Sequence, residues 1–367
     1  MKRLIELDIL RGLLLIMMVV NHSPSPLRVF TDQPIGFFST AEAFVFVSAF
    51  LAGILFQRRT EKHGFQAARA ATVSRAFRIY RAHLVTLLFT FVVGGVFLAE
   101  LPGIQHLLDQ YFKNPGAAML AATALVFQPP LMDILPMYVL FSLLTPCVFW
   151  AASRWGWKKV LFISVGCWVV SQFRVREMLL ASMKDASFLN PGPFDLLSWQ
   201  LLWVGGLVFG KSLQEKNPVL QLSARAESIL LMLAIAFLGL RWYTIAMQID
   251  PGKQLWILDK WHLGPLRVMN FFVSTWVIAK LLPALQRWEI PLRPLSAVGR
   301  NMLPVFCSQI CLSLLLVGVI DPSKSHKPLA IVLVLAQIVS VFLIAWLLEW
   351  RSAVKNNQYF QIAGTPH

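Results

Sequence analysis

Residues 5–22 read IELDILRGLLLIMMVVNH. The stretch is apolar enough to lie in lipid, and a spanning helix needs about 20 mostly apolar residues. Lys2 and Arg3 precede it in the manner of a signal peptide. Glu6, Asp8 and Arg11 break the apolar run, and no small-residue cleavage site follows His22, so the segment reads as a retained first helix. At 100° per residue, the eleven steps from Arg11 to His22 return to within about 20° of the same face and advance about 16 Å. Asp8 lies about 40° from His22 on that face. One stripe therefore carries an acid and a cation at one end and an imidazole at the other.

The composition of the chain agrees with that reading. Of 367 residues, 57% are hydrophobic and 14% charged, with a mean hydropathy of +0.64. Soluble domains are about 45–50% apolar and about 25% charged. Nine further segments are candidate spans: 36–57, 83–101, 133–152, 159–177, 196–210, 227–246, 265–284, 301–320 and 328–350. Ala117–Phe127 is too short to cross and ends in Gln128-Pro129-Pro130, which points to a re-entrant or interfacial half-helix packed against protein. The predicted fold class is an all-α polytopic membrane protein of about ten transmembrane helices plus that half-helix. It forms a single membrane domain over 1–367, with 358–367 as a disordered tail.

The net charge of +15 has a topological explanation. With a cytoplasmic N-terminus, 20 of the 33 Lys and Arg fall in inside segments, 9 outside and 4 within spans. That asymmetry predicts both termini in the cytoplasm and sets aside a nucleic-acid partner in favour of lipid. Cys147, Cys167, Cys307 and Cys311 lie in apolar runs without metal or disulfide spacing, and no metal is expected. Walker, GxSxG and HExxH motifs are absent.

Chemistry then rests on ionisable residues at bilayer depth, which usually face a cavity or a partner. Glu42 begins the second span at a depth close to that of His22, where a carboxylate can orient an imidazole acting as a base. Arg75, Arg78 and Arg81 recur every third residue, which lines a basic helix side suited to phosphates or acidic headgroups. Asp133, Tyr138, Lys260, Arg267 and Arg300 are further polar positions near apolar runs, and Pro136 and Pro304 lie within spans where they kink helices.

LDILRGLLLIMMVVNH, TAEAFVFVSAFLAG, DILPMYVL, DLLSWQLLWVGGLVFG, DKWHLGPLRVMNF and GRNMLPVF, in this order, resemble the OpgC family within the membrane acyltransferase-3 superfamily. The resemblance runs from about residue 4 to 310. It implies O-acyl transfer in the bacterial inner membrane, from cytoplasmic acyl-CoA (succinyl-CoA or acetyl-CoA) to a periplasmic glucan or other polysaccharide, with succinyl as the group moved. It also implies His22 as catalytic base, with Arg11 and Glu42 in the associated motifs. Arg75, Arg78 and Arg81 are candidates for holding CoA. Asp133, Tyr138, Lys260, Arg267 and Arg300 are candidates for binding substrate, and Arg267 or Arg300 could meet a succinyl carboxylate. One departure is Ser48-Ala49-Phe50, where the family has Ser-Gly-Phe. The competing reading is a transporter exporting a glycan or organic anion, in which the same charges line a path and no acyl donor is consumed.

Overall fold

The computed structural model describes residues 4–23, 25–182, 190–216, 222–288, 290–319 and 327–363. Lys2 and Arg3 lie outside the described residues. Apart from one isolated bridge between Phe127 and Asn190, the regular elements among the described residues are helical. In chain order they are α1 (Ile5–Asn21), α2 (Arg28–Thr31), α3 (Thr40–Phe89), α4 (Pro102–Leu107), α5 (Asp109–Lys113) and α6 (Pro115–Thr123). There follow α7 (Ile134–Trp155), α8 (Trp157–Ser171), α9 (Val175–Ser182), α10 (Leu196–Gln214), α11 (Ala224–Ala246) and α12 (Pro251–Gln254). The last four are α13 (Pro265–Leu285), α14 (Arg293–Arg300), α15 (Met302–Val319) and α16 (Lys327–Ala363). The stretch expected as a tail is helical as far as Ala363, and residues 364–367 lie outside the described residues.

Among the described residues, six helices are long and apolar enough to cross a membrane: Thr40–Phe97, Ile134–Trp155, Leu196–Gln214, Ala224–Ala246, Pro265–Leu285 and Pro328–Val354. A seventh is reached if Arg293–Arg300 and Met302–Gly318, bent by 90°, form one span. The expected ten differ from this count for identifiable reasons. Helix α1 has 17 residues and α8 has 15; at 1.5 Å per residue both are shorter than a hydrocarbon core of about 30 Å. Thr40–Phe97 covers most of two of the expected spans, 36–57 and 83–101. It is broken at Gly64, whose φ of 80° and ψ of 166° are not helical and which suit a residue without a β-carbon. Past Phe89 the helix widens into a π-helical turn, Thr90–Phe97. Of the half-helix expected at 117–127, residues 117–123 lie in α6, which is capped by the Asn114 side chain accepting from Ala117 N and opened by Pro115 at its first turn.

The chain divides into two compact units, Met1–Thr31 with Ala279–His367, and Asp32–Ile278. In the first unit α1 packs on α14, α15 and α16. Backbone meets backbone at its core: a β-carbon on Gly12 would stand 2.0 Å from Leu295 O, and one on Gly299 would stand 1.8 Å from Asp8 O. In the second unit α3 packs on α7 and α10, and α10 on α8. Trp203 of α10 is buried and its indole Nε1–H donates to Thr145 Oγ1 at 3.0 Å, as a buried indole requires.

The α3–α10 crossing explains the departure at Ala49. Small residues four apart, Ala49 and Gly53 on α3 against Gly206 and Gly210 on α10, let the helices approach closely. A β-carbon on Gly206 would stand 2.6 Å from Ala49 Cβ and 2.7 Å from Phe46 O. The extra methyl of Ala49 is therefore accommodated by the missing one at Gly206. Gly206→Leu is expected to destabilise the detergent-solubilised protein by about 1–3 kcal/mol through overpacking, with a lower thermal midpoint, and adding Ala49→Gly should recover part of the loss. An unchanged midpoint would show that the crossing is not close-packed.

Candidate functional site

The second unit places Glu42 at the start of α3. The chain reaches that helix through Phe37, whose backbone N–H donates to Asn270 Oδ1 at 2.6 Å, and Ser39 then takes the N-cap position. Glu42, three residues on, accepts from Ser39 N–H at 3.0 Å and from the Ser39 hydroxyl, both through Oε2, as in a capping box. Its other oxygen, Oε1, accepts from Arg267 Nε on α13. The Glu42 and Arg267 side chains are 0% and 2% exposed, so each charge is neutralised only by its neighbours. Arg267 Nη2 is buried and has no hydrogen-bond partner among the described residues. The carboxylate expected to orient His22 is thus engaged at both oxygens inside its own unit, and Arg267, expected to meet a succinyl carboxylate, already holds one.

Other candidates cluster near the ends of these helices. Tyr138 O–H donates to Ser48 Oγ at 3.2 Å, and its ring meets Phe44 and Trp203 edge-on. Lys260 is half-buried and lies 5.0 Å from the Trp261 ring centroid, a cation–π distance. Burial lowers its pKa, and the negative charge of Glu42 works in the opposite direction. Burial raises the Asp133 carboxyl, at the N-cap of α7, to about 6. Of the three arginines on the returning limb of α3, Arg78 and Arg81 are exposed, whereas Arg75 is half-buried within electrostatic reach of Tyr138. Beside this limb lies an apolar cavity of about 270 Å³ lined in part by Ala76, Phe77, Tyr80, Val139 and Leu143.

The first unit holds the remaining candidates. Arg11 stands 3.6 Å from Asp8, and its Nε and Nη2 donate to Met302 Sδ at 3.0 and 2.7 Å. Arg300 forks onto Glu349 of α16 at 2.5 and 2.6 Å and donates to Ser296 Oγ at 2.8 Å. That bidentate pair ties α14 to α16, so Arg300, like Arg267, is matched to a carboxylate already. His22 caps α1, and its Nδ1 lies 3.2 Å from Gln309 Nε2 on α15.

Sequence reasoning missed His262 and its neighbours. Its Nδ1 lies 2.7 Å from Asp259 Oδ2 and its Nε2 3.1 Å from Glu177 Oε1. Glu177, Asp195 and His262 bring one ligand atom each within 4.8 Å of one another, a geometry that could hold a metal. Arg176 competes for that position, at 2.7 Å from Glu177 and 3.9 Å from Asp195, while Arg174 stands 3.9 Å from Asp259. Three carboxylates thus face two guanidiniums and an imidazole, and the charges balance when His262 is protonated. The arrangement is an ion-pair clamp between α9 and the loop before α13. Gln309, Gln337, Glu349 and Asn270 were also missed; each is an isolated polar residue in or beside an apolar run, the one signal available for them.

Two outcomes follow. Removing one member of a buried pair leaves a bare charge, so Glu42→Leu should cost about 3–5 kcal/mol, and Glu42→Leu with Arg267→Met should be more stable than Glu42→Leu alone. A thermal-unfolding double-mutant cycle measures this, and additive losses would contradict it. The clamp should also respond to pH. The Asp259 hydrogen bond, working against burial, raises the pKa of His262. Burial would raise Asp259 and Glu177, but hydrogen bonds and nearby charges, chiefly from His262 on Asp259 and from Arg176 on Glu177, together lower both. Stability from His262 is complete below about pH 6.5 and lost as pH rises through its higher folded value. Stability from the two acids is complete above about pH 4.5 and lost as pH falls. Hydrogen exchange of α9 should be slowest between these limits, and His262→Gln should remove the alkaline loss. A profile identical in wild type and variant would contradict the clamp.

The sequence model of the OpgC protein family matches residues 3–353, nearly the whole chain. No curated protein and no solved structure matches it.

Proposed function

The chain belongs to the OpgC family, and on that premise we propose that it is a membrane O-acyltransferase moving succinyl from cytoplasmic succinyl-CoA to hydroxyls of a periplasmic glucan. Its setting is the bacterial inner membrane, crossed several times with both termini in the cytoplasm, an orientation supported by the concentration of Lys and Arg in alternate loops.

His22 is the base. It takes the proton of an acceptor sugar hydroxyl, the oxygen attacks the thioester carbonyl, the C–S bond breaks, and the departing CoA thiolate recovers the proton. Arg78 and Arg81, exposed on the returning limb of α3, suit the CoA phosphates. Asp133, Tyr138 and Lys260 remain the candidates for contacting substrate. Arg11, by contrast, is occupied by Asp8 and Met302 and anchors the helix that carries His22. Glu42 does the same for α3 through Arg267 and Ser39. These contacts favour positioning roles for both residues.

The observation that carries the reading is the imidazole of His22, placed at the end of an apolar helix and held by a buried amide, in a chain matched over residues 3–353 to this family. Purified protein in proteoliposomes with succinyl-CoA and a glucan oligosaccharide should release CoA thiol. His22→Ala, eluting as the wild type does, should release it at least about 10²-fold more slowly. Full thiol release by His22→Ala would overturn the assignment, and glucan movement without any thiol release would favour the transporter.

A further inference from the structure

The first unit contains a continuous chain of buried, uncharged polar side chains that ends on His22. Ser23 Oγ lies 2.9 Å from Gln337 Oε1. Gln337 Nε2 donates to Ser313 Oγ at 2.8 Å and to Gln309 O at 3.3 Å. Gln309 Nε2 donates to Ser313 Oγ at 2.9 Å and to His22 Nδ1 at 3.2 Å. Ser23, Gln309, Ser313 and Gln337 are all buried, Gln309 and Ser313 completely. A polar network at this depth is costly unless its members are satisfied, yet Gln309 Oε1 has no hydrogen-bond partner among the described residues.

The chemistry of the amide links that unmatched oxygen to the imidazole. With Gln309 N–H donating to Nδ1, the proton of a neutral ring sits on Nε2, and Nε2 then has no lone pair with which to accept a proton. Half a turn about the last side-chain bond exchanges Oε1 and Nε2 within nearly the same volume. The carbonyl then accepts Nδ1–H and the Ser313 hydroxyl proton, and Nε2 is bare. The same setting suits the imidazolium that forms when Nε2 takes a proton, because both ring nitrogens then donate.

We propose that Gln309 is the positioning residue that sets which nitrogen of His22 carries its proton: it turns its carbonyl to the ring as the ring exchanges its Nε2 proton with water and takes one at Nδ1, and the bared Nε2 then takes the proton of the acceptor hydroxyl. This rests on His22 being the base of the acyl transfer. Among the described side chains, the charged or titratable groups on elements packed against α1 in this unit are Arg28, Arg293, Arg300, Glu349 and Arg351, with the thiols Cys307 and Cys311 on α15. Arg300 and Glu349 are paired with each other, and Asp8 and Arg11 lie toward the opposite end of α1 from His22. The relay itself is uncharged. Its control over His22 is therefore a matter of tautomer and orientation.

The test compares wild type, Gln309→Leu and the isosteric Gln309→Glu in the full-length protein. Histidine-labelled protein in detergent is titrated by NMR, with the His22 resonance assigned by its loss in His22→Asn, and turnover of succinyl-CoA with a glucan oligosaccharide is followed against pH. Gln309→Leu should lower kcat by about 10²-fold with KM unchanged. Gln309→Glu puts a carboxylate beside the ring and should raise the His22 pKa by about 1 unit or more, moving the low-pH limb of kcat/KM upward by the same amount. Above that limb its turnover should exceed that of Gln309→Leu. If Gln309→Leu fails to fold, the Glu variant alone decides. An unmoved His22 titration in Gln309→Glu overturns the inference. Full activity in His22→Ala removes the reading beneath it instead, and the NMR titration separates the two failures.

Discussion

An ion in a low-dielectric interior has to find its counter-ion within the protein, and the buried contact between Glu42 and Arg267 is the clearest case in this structure. Desolvating two charges costs several kcal/mol per ion, and further hydrogen bonds to the pair offset part of that cost. Ser39 supplies these for Glu42, and the result joins the first turn of α3 to α13. The same constraint governs the first unit, where Arg11 is met by Asp8 and Met302 and Arg300 by Glu349. Four of the charged candidates, Arg11, Glu42, Arg267 and Arg300, thereby make ion pairs within the protein.

His22 meets a different kind of group. Its neighbour in the hydrogen-bond relay is an amide, and the relay runs through serine and glutamine to Ser23. A carboxylate in that place would favour the imidazolium and pull the ring away from the neutral form a base needs. An amide adds no charge beside the ring, and in the proposal it chooses the tautomer. The two kinds of polar contact therefore divide the work, with ion pairs for the scaffold and an uncharged relay for the group proposed to move a proton.

The apolar runs made the helical fold legible before any coordinates, including the short helix α6, because length and hydropathy act locally. What remained hidden depends on distance along the chain. Gly64 gives no sign in sequence that it breaks a 58-residue helical run, and Arg300 and Glu349 are 49 positions apart. His262 meets Glu177 across 85 positions, which spacing rules for metal or catalytic motifs do not reach. Arg11, His22 and Glu42 stood out because charge is rare in this chain, but rarity locates a residue without naming its partner. Gln309 and Ser313, four apart inside an apolar run, carried the same kind of signal in a weaker form.

The chain belongs to the OpgC family, and the proposal assigns proton transfer in its acyl-transfer chemistry to His22. The claim at the centre is that succinyl groups reach a periplasmic glucan by way of His22. Mass spectrometry of periplasmic glucans from cells carrying the wild-type chain, the His22→Ala chain or no copy, grown with isotope-labelled succinate, tests it directly. The account predicts labelled succinyl esters on the glucan only with the wild-type chain. Equal labelling with His22→Ala, or glucans unchanged by removal of the protein, would contradict it.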